Sequence, residues 1–343
     1  MDWIDAAIIV VKGVAIVGLV FGIVAYMTLA ERKIAGFIQD RHGPNRVGPW
    51  GLLQPVADGL KILFKEDVMP ERVDRFLFII APGIFFAVAL SLYAVIPFGE
   101  SFTIFGREIS LTMADLNVGI LFVLAVSSLG VYGILLGGWS SNSKFSLLGG
   151  FRSAAQLISY ELAMGLAIVS VVMLTGTFRL AGVVDYQSHF WGGFLPAWNI
   201  FRQPLAFFIF LTCTLAETNR VPFDLPEAEQ ELVGGYHTEY SSFKFALYMF
   251  GEYCNVLAWT AITVLLFLGG WHFWGTDLVS GPLQSLVHLV IFIGKTLGLV
   301  FFFIWLRWTM PRFRFDQLMA LGWKFLLPLG LANILLTGIA LSL

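Results

Sequence analysis

The chain has 343 residues, of which 58% are hydrophobic and 13% are charged, and its mean hydropathy is +0.81. Soluble proteins average roughly 45–50% apolar and about 25% charged residues, so these fractions exclude an ordinary soluble fold and a disordered chain. The formal net charge of −2 provides no basic field, which argues against a nucleic-acid partner. The composition therefore predicts an integral membrane protein embedded in a lipid bilayer.

Apolar runs that approach the length of a bilayer span recur along the chain. A hydrocarbon core about 30 Å thick needs roughly 20 mainly apolar residues in a helix. Eight such runs predict an all-α, polytopic membrane protein with a single membrane domain over residues 1–343. The predicted transmembrane helices cover residues 4–30, 76–98, 116–139, 154–178, 203–219, 245–270, 283–306 and 325–342.

The segment at about 50–65, between the first two runs, is too short and too polar to cross a bilayer. Its apolar residues recur at helical spacing, at Leu53, Val56, Leu60 and Leu63 or Phe64. This pattern predicts an amphipathic helix that lies in the membrane interface, and an ordinary connecting helix fits the periodicity equally well.

The basic residues lie almost entirely on one side of the predicted membrane. Sixteen of the 21 Lys and Arg residues fall in four loops, at 31–75, 139–153, 217–244 and 307–324, which we call the basic face. Basic loops face the cytoplasm, so we expect this face on the cytoplasmic side of a bacterial inner membrane. An even number of spans then places both termini on the periplasmic side.

Ionisable residues occur within or at the ends of the predicted spans, where hydrocarbon disfavours them. They are Glu161, Glu217, Glu252 and Lys295. A charge at the centre of a spanning helix costs about 2.5–3.5 kcal/mol on insertion scales. A structural ion pair explains any one of them as well as a functional role does. The four together favour a buried proton relay or ion path.

The segment 216–240 is the most acidic part of the chain. Its ionisable residues are Glu217, Arg220, Asp224, Glu227, Glu229, Glu231, His237 and Glu239. A solvated acidic loop is the simplest interpretation, but the interleaved Pro, Phe, Leu and Val residues indicate a packed backbone. Crowded carboxylates in a low dielectric have raised, mutually coupled pKa values, as a proton reservoir near neutral pH requires. We therefore favour the functional interpretation.

Arg32, Arg41 and Arg307 lie near span ends, and Trp305 and Trp308 flank the last of them. Anchoring of the basic face explains part of this pattern. The guanidinium groups could also hold carboxylates or the polar head of a ligand at membrane depth.

Motifs for metals and nucleotides are missing from the sequence. Cys213 and Cys254 have no CxxC spacing, the five histidines are scattered, and no GxGxxG run occurs. The sequence therefore predicts no metal, iron–sulfur or dinucleotide site in this chain.

Several long runs carry a family resemblance over nearly the whole chain. They are residues 31–49, 53–59, 139–144 (WSSNSK), 159–161 (SYE), 216–240 and 307–319 (RWTMPRFRFDQLM). In these runs the chain closely resembles the H subunit of respiratory NADH:quinone oxidoreductase (complex I), the counterpart of mitochondrial subunit one.

The resemblance implies eight spans and a ubiquinone or menaquinone chamber at the junction with peripheral-arm subunits. It also implies that quinone reduction is coupled to proton translocation. The iron–sulfur clusters and FMN then belong to partner subunits, and further partners are the other membrane-arm subunits. The quinone is expected to enter from the bilayer between the first and seventh spans and the interfacial helix.

The resemblance and the buried charges together assign residues to two groups. The quinone chamber comprises Glu31, Arg32, Arg41, Asp58, Phe223 and Arg307. The proton or charge relay comprises Tyr160, Glu161, Glu217, Arg220, Asp224, Glu227, Glu229, Glu231, Glu239, Glu252 and Lys295.

Three other functions compete with this assignment. The equivalent membrane subunit of a membrane-bound hydrogenase is the nearest alternative, because it belongs to the same superfamily. A stand-alone secondary transporter predicts an internal repeat, and the sequence has none that we detect. A purely structural membrane anchor gives no reason for Glu161 and Glu252 to be buried.

Overall fold

The computed structural model describes residues 3–104, 107–191, 195–226, 229–276 and 282–342. Helices form most of this structure. In chain order they are α1 (Trp3–Ile38), α2 (Gln54–Phe64), α3 (Arg75–Ser91), α4 (Gly119–Ser140), α5 (Lys144–Thr175), α6 (Leu180–Tyr186), α7 (Asn199–Arg202), α8 (Pro204–Glu217), α9 (Glu229–Leu232), α10 (Ser242–Phe267), α11 (Pro282–Thr309), α12 (Phe315–Ala320) and α13 (Leu327–Ser342). The predicted all-α class is confirmed.

Two short antiparallel hairpins interrupt the helical pattern in connecting segments. In the first, β1 (Phe102–Ile104) pairs with β2 (Arg107–Ile109). In the second, β3 (Phe190–Trp191) pairs with β4 (Leu195–Pro196). Both hairpins lie between apolar helices, so they add no layer to the fold.

Seven helices in the described part of the chain are long and apolar enough to cross a bilayer. They cover Ala7–Ile38, Arg75–Ala94, Gly119–Ser140, Lys144–Thr175, Ser242–Phe267, Leu283–Thr309 and Phe315–Ser342. The predicted span at 203–219 corresponds to α8, which has only 14 residues. At about 1.5 Å per residue it reaches about 21 Å, short of a hydrocarbon core of about 30 Å.

Local sequence signals set several helix ends. The Asp74 carboxylate accepts a hydrogen bond of 3.2 Å from the Leu77 amide and so caps the start of α3. Gly176, with φ of 70°, ends α5 in the left-handed conformation that favours glycine. Between α12 and α13 a π-helical turn, Leu321–Leu326, precedes Pro328, which lacks the amide that a regular helix requires.

The segment predicted as an amphipathic helix corresponds to α2. None of its residues is buried, and Val56, Leu60, Leu63 and Phe64 are exposed apolar side chains. The helix contacts α1 and α10, so it closes one end of the gap between them.

Helix α10 lies at the centre of the bundle. It contacts α1, α3, α6, α8 and α11, and its side chains are buried along most of its length. Trp259 is fully buried and meets the ring of Phe210 from α8 edge to face, at 6.1 Å between centroids. A polar side chain on this helix therefore lies among protein groups rather than lipid.

Helices α3 and α4 approach closely because α4 carries glycine where they meet. A Cβ at Gly133 would lie 2.7 Å from the Cβ of Phe85 and 2.8 Å from its backbone nitrogen. The absence of that atom lets the two helices pack against each other directly.

We expect Gly133→Ala to lower the midpoint of thermal unfolding in detergent. Overpacking typically costs about 1–3 kcal/mol, and here backbone must move. Gly83→Ala on α3 is the matched control, because its added Cβ meets nothing within 4 Å. The control should unfold at the wild-type temperature or slightly above it. An unchanged midpoint for Gly133→Ala would contradict the close packing of α3 and α4.

Candidate functional site

A cavity of about 390 Å³ opens at the basic face among α1, α2, α10 and α11. This volume lies within the range of about 300–1,000 Å³ typical of small-molecule sites. Apolar side chains form much of its wall: Val24, Ala25, Ala35, Pro55, Ile62, Phe245, Ala246, Met249, Phe250 and Trp308. Its charged residues are Glu31, Arg32, Arg41, Asp58 and Arg307. The structure thus brings five of the six predicted chamber residues into one cavity.

Phe223, the sixth predicted chamber residue, lies elsewhere. Its ring is buried between Tyr160, at 5.3 Å, and Phe313, at 5.6 Å between centroids. Phe223 therefore packs the acidic segment against α5 and the chain that follows α11.

An ion pair joins α1 to α2 at the rim of the cavity, and local side-chain hydrogen bonds surround it. The Arg32 guanidinium donates to an Asp58 carboxylate oxygen at 2.7 Å, and the Gln54 amide donates to the other oxygen at 3.0 Å. Arg41 donates from Nε to the Gln39 side chain at 2.7 Å. Asp58 thus fixes α2 against α1, with Arg32 half-exposed at the mouth.

Glu31 forms the centre of a buried ionic cluster on the inner wall. Its Oε1 accepts a hydrogen bond from Arg307 and lies 3.4 Å from Nη1 of Arg220. Its Oε2 accepts a hydrogen bond of 2.7 Å from the Tyr253 hydroxyl. The Arg220 guanidinium also stacks over the Tyr253 ring, 4.5 Å from the centroid. Glu31 and Arg220 are 5% and 8% exposed, so their charges depend on one another for stabilisation.

The first part of the acidic segment is packed into the protein. Thr218, Asn219, Arg220, Phe223 and Asp224 are all buried. The amide of Phe313 donates to the carbonyl of Pro222 at 3.1 Å, which joins the segment to the chain after α11. These contacts support the interpretation of a packed backbone and exclude a solvated loop for this part.

Asp224 is the best-defined titratable group of that segment. Its carboxylate accepts a hydrogen bond of 2.8 Å from Arg312 and is 6% exposed. Burial raises the pKa of Asp224 to about 6, and the negative charge of Glu252 acts in the same direction. The positive charges of Arg312 and Arg307 oppose that increase.

Three further carboxylates lie within the bundle. Glu252 on α10 is buried and accepts a hydrogen bond of 2.6 Å from the Tyr236 hydroxyl. Glu217 ends α8 in a buried position, close enough to Glu161 on α5 for their charges to interact. Glu161 accepts a hydrogen bond from Ser128 on α4. The hydrogen bond between Ser128 and Glu161 joins α4 to α5, and that between Tyr236 and Glu252 joins the turn after α9 to α10.

Tyr160 is fully buried beside these groups, and its hydroxyl donates to the Leu318 carbonyl at 2.9 Å. Other predicted relay residues are less enclosed. Glu231 is exposed and pairs with Arg152 at 2.6 Å, and Glu239 is half-buried. Glu227 lies outside the described residues, and for Glu229 only the backbone, at the start of α9, is described.

Lys295 lies in different surroundings from the carboxylates. Its ammonium donates to the carbonyls of Leu268, Gly270 and His272, at 2.7, 3.0 and 2.7 Å. It also lies 4.4 Å from the centroid of the Trp198 ring. A cation at this place stabilises the C-terminal end of α10. The hydrogen-bond partners of Lys295 are thus backbone carbonyls and not the carboxylates of the predicted relay.

Sequence reasoning missed several partners of these charged residues. Tyr253, Tyr236, Ser128 and Gln54 were not predicted, although each hydrogen-bonds a predicted carboxylate. Tyr253 directly follows Glu252 in α10, and Gln54 and Tyr236 lie in the family runs 53–59 and 216–240, so their positions in the sequence were the available signals. Hydroxyls and amides in apolar helices otherwise resemble ordinary packing residues.

The described residues contain no group of three or more His, Cys, Asp or Glu side chains that could hold a metal ion. Cys213 and Cys254 are free thiols buried in α8 and α10. Guanidinium, carboxylate and hydroxyl groups are the polar groups that line the cavity.

Comparison with known proteins supports the sequence resemblance. The chain is 53% identical over 330 residues to the H subunit of NADH-quinone oxidoreductase from Syntrophotalea carbinolica, covering 96% of this chain and 95% of that protein. It is 53% identical over 340 residues to an H subunit of the same enzyme from Geobacter metallireducens, covering 99% and 98%. The H subunit from Flavobacterium psychrophilum is 48% identical over 346 residues, covering 99% of both chains.

The sequence model of the NADH dehydrogenase family matches residues 11–338, nearly the whole length of the chain. The family that the motifs predicted is thereby confirmed. The chain belongs to the NADH dehydrogenase family.

Proposed function

We propose that this chain is the quinone-binding membrane subunit of a proton-translocating NADH:quinone oxidoreductase. The main support is the convergence of Glu31, Arg32, Arg41, Asp58 and Arg307 on one cavity with largely apolar walls. The names of the relatives favour this assignment over the equivalent subunit of a membrane-bound hydrogenase.

The lining of the cavity suits a quinone. Apolar walls accept the ring and the start of an isoprenoid tail, and guanidinium groups can donate to the carbonyl oxygens of the head group. Reduction of the head group adds electrons and therefore creates negative charge or a demand for protons. Arg307 and Arg41 lie where they can stabilise that charge. The electrons would be supplied by the iron–sulfur clusters and FMN of partner subunits.

Glu31 connects this chemistry to the acidic segment. Its carboxylate binds Arg307, which lines the cavity, and approaches Arg220, which belongs to the segment 216–240. Negative charge on the head group competes with Glu31 for Arg307. When Glu31 binds Arg307 less tightly, more of its negative charge is available to attract Arg220. The acidic segment, which contains Arg220, therefore responds to the redox state of the quinone.

The response then travels through the buried carboxylates. Asp224 and Glu252 interact electrostatically, and Glu217 and Glu161 form a second interacting pair. A change in one protonation state shifts the others, because like charges in a low dielectric are strongly coupled. Moving one charge against 100 mV takes about 2.3 kcal/mol, and an open path would let the proton run back. Changes in the protonation of these carboxylates must therefore gate the proton path. We propose that it delivers a proton or a charge signal to the other membrane-arm subunits.

The same proposal orients the protein. The basic face, with the quinone cavity, contacts the peripheral arm on the cytoplasmic side of a bacterial inner membrane. We infer that α8 completes an eighth crossing together with the buried segment that follows it, which places both termini on the periplasmic side. The gap between α1, α11 and α2 then admits quinone from the bilayer.

We expect Arg41→Ala and Asp58→Asn to slow NADH:quinone activity of the purified complex at least about tenfold, a barrier change of about 1.4 kcal/mol. NADH:ferricyanide activity, which bypasses the quinone site, should persist. Arg46→Ala is the matched control, because Arg46 is exposed on the same loop and lines no part of the cavity. Wild-type quinone activity in both cavity variants would refute the chamber.

We expect Glu217→Gln and Glu252→Gln to slow proton translocation in proteoliposomes at least about tenfold, because each removes a titratable group from a buried path. Glu66→Gln, an exposed substitution on the basic face, should leave translocation unchanged. If both buried variants reduced quinone and moved protons at wild-type rates, the relay would be wrong.

The raised pKa of Asp224 predicts a pH dependence. The folded protein binds this proton more tightly than the unfolded chain does. The contribution of Asp224 to folding stability is thus complete below the unfolded pKa of about 3.9 and is lost as the pH rises through about 6. Above pH 6 the charged pair with Arg312 predominates.

If quinone reduction depends on the charged pair of Asp224 and Arg312, its rate should rise through about pH 6 in the wild type. Asp224→Asn should remove that inflection. The measurement is the rate of quinone reduction between pH 5 and 8. Asp67→Asn is the matched control, since Asp67 also pairs with a basic residue, Lys244, at 2.8 Å. An inflection near pH 6 that survives in Asp224→Asn would assign it to another group.

A further inference from the structure

An apolar furrow lies at the end of α1 remote from the quinone cavity. Its volume is about 480 Å³, and it runs between α1, the chain around β2 and the first turns of α11. Side chains that line it include Ala7, Val11, Ala15 and Leu19 from α1, with Leu111 and Leu289 opposite. Among the described lining residues Lys12 alone carries a charge.

The ammonium of Lys12 is held at the edge of this furrow. It donates to the carbonyl of Thr112 at 2.5 Å and approaches the carbonyl of Ser110 at 3.4 Å. An ammonium has three N–H donors, so these two carbonyls leave one donor for a further acceptor. Lys12 is thus positioned to bind an anion while its stem lies along apolar surface.

Lys12 lies five residues from the remote end of the apolar span Ala7–Ile38, about 8 Å along the helix, so its long side chain can reach head-group depth. Glu31, at the basic face, is 19 residues further along the same helix. At about 1.5 Å per residue the two residues are about 28 Å apart, which matches a hydrocarbon core of about 30 Å. Lys12 therefore lies near the boundary of the leaflet opposite the basic face.

The apolar side chains around the furrow are exposed in this chain. Val10 and Val14 beside it are 64% and 69% exposed, and Val290 of α11 is 63% exposed. The furrow also shares Leu19 with a second apolar cavity, of about 630 Å³, that continues between α1 and α11. An extended hydrocarbon chain therefore has room to follow the helix.

We propose that this furrow binds an anionic glycerophospholipid from the leaflet opposite the basic face. Its phosphate would contact Lys12, and an acyl chain would lie against Ala15 and Leu19. The argument rests on charge complementarity, because a fixed cation beside an apolar furrow at head-group depth matches an anion joined to hydrocarbon.

The test is photo-crosslinking in proteoliposomes of the purified complex. Phosphatidylglycerol and phosphatidylcholine, each with a diazirine on the acyl chain, are compared, and labelling is mapped by mass spectrometry to the peptide that spans residues 7–19. We expect about a fivefold preference for phosphatidylglycerol in the wild type. Lys12→Gln should abolish the preference, and Lys12→Arg should retain it.

Two variants separate the furrow from general exposure to lipid. Ala15→Phe fills the furrow and should reduce labelling by both lipids, whereas Val14→Phe, on the exposed face outside it, should not. Equal labelling by both lipids in the wild type would overturn the proposal, as would an unchanged preference in Lys12→Gln. Absence of lipid labelling from the 7–19 peptide, as expected if another subunit covers the furrow, would overturn it too.

Discussion

One buried carboxylate, Glu31, holds together the parts of this protein that have to communicate. It accepts hydrogen bonds from Arg307 on α11 and Tyr253 on α10, and it lies 3.4 Å from Arg220 after α8. Breaking a buried ion pair by removing one partner typically costs about 3–5 kcal/mol. The cluster therefore constrains where three separate segments can lie, and it places two guanidinium groups beside one carboxylate at the wall of the cavity.

The central position of α10 makes this arrangement possible. Because α10 is enclosed by other helices, Glu252 and Tyr253 meet polar partners instead of hydrocarbon. A charge that faced lipid would cost about 2.5–3.5 kcal/mol. The remote end of α1 instead exposes apolar side chains, mainly valines. Lys12 lies at that end, and its ammonium donates to the Thr112 carbonyl. These charged residues thus fall into two groups: the buried groups around Glu31 and Glu252, and Lys12 at the exposed end of α1.

Hydropathy predicted the helical fold, because the length of an apolar run can be read from the sequence. The family motifs predicted that Glu31, Arg32 and Arg307 share a chamber, because such motifs are also properties of the sequence. Partners across the fold were not predictable. Lys295 resembled a member of the relay, but its acceptors are carbonyls 23–27 residues away that any sequence would supply. Phe223 belongs to a predicted motif, yet packing against Phe313 removes it from the cavity. Both outcomes depend on where the chain returns in space.

The most direct test of this account is a structure of the assembled complex with quinone bound. We predict that the head group lies in the cavity between α1, α2 and α11, within hydrogen-bond distance of Arg307 or Arg41. The distance between Glu31 and Arg307 should then be longer than in the quinone-free complex, and that between Glu31 and Arg220 shorter. A head group bound outside this cavity, or an ionic cluster that is identical in both states, would contradict the account.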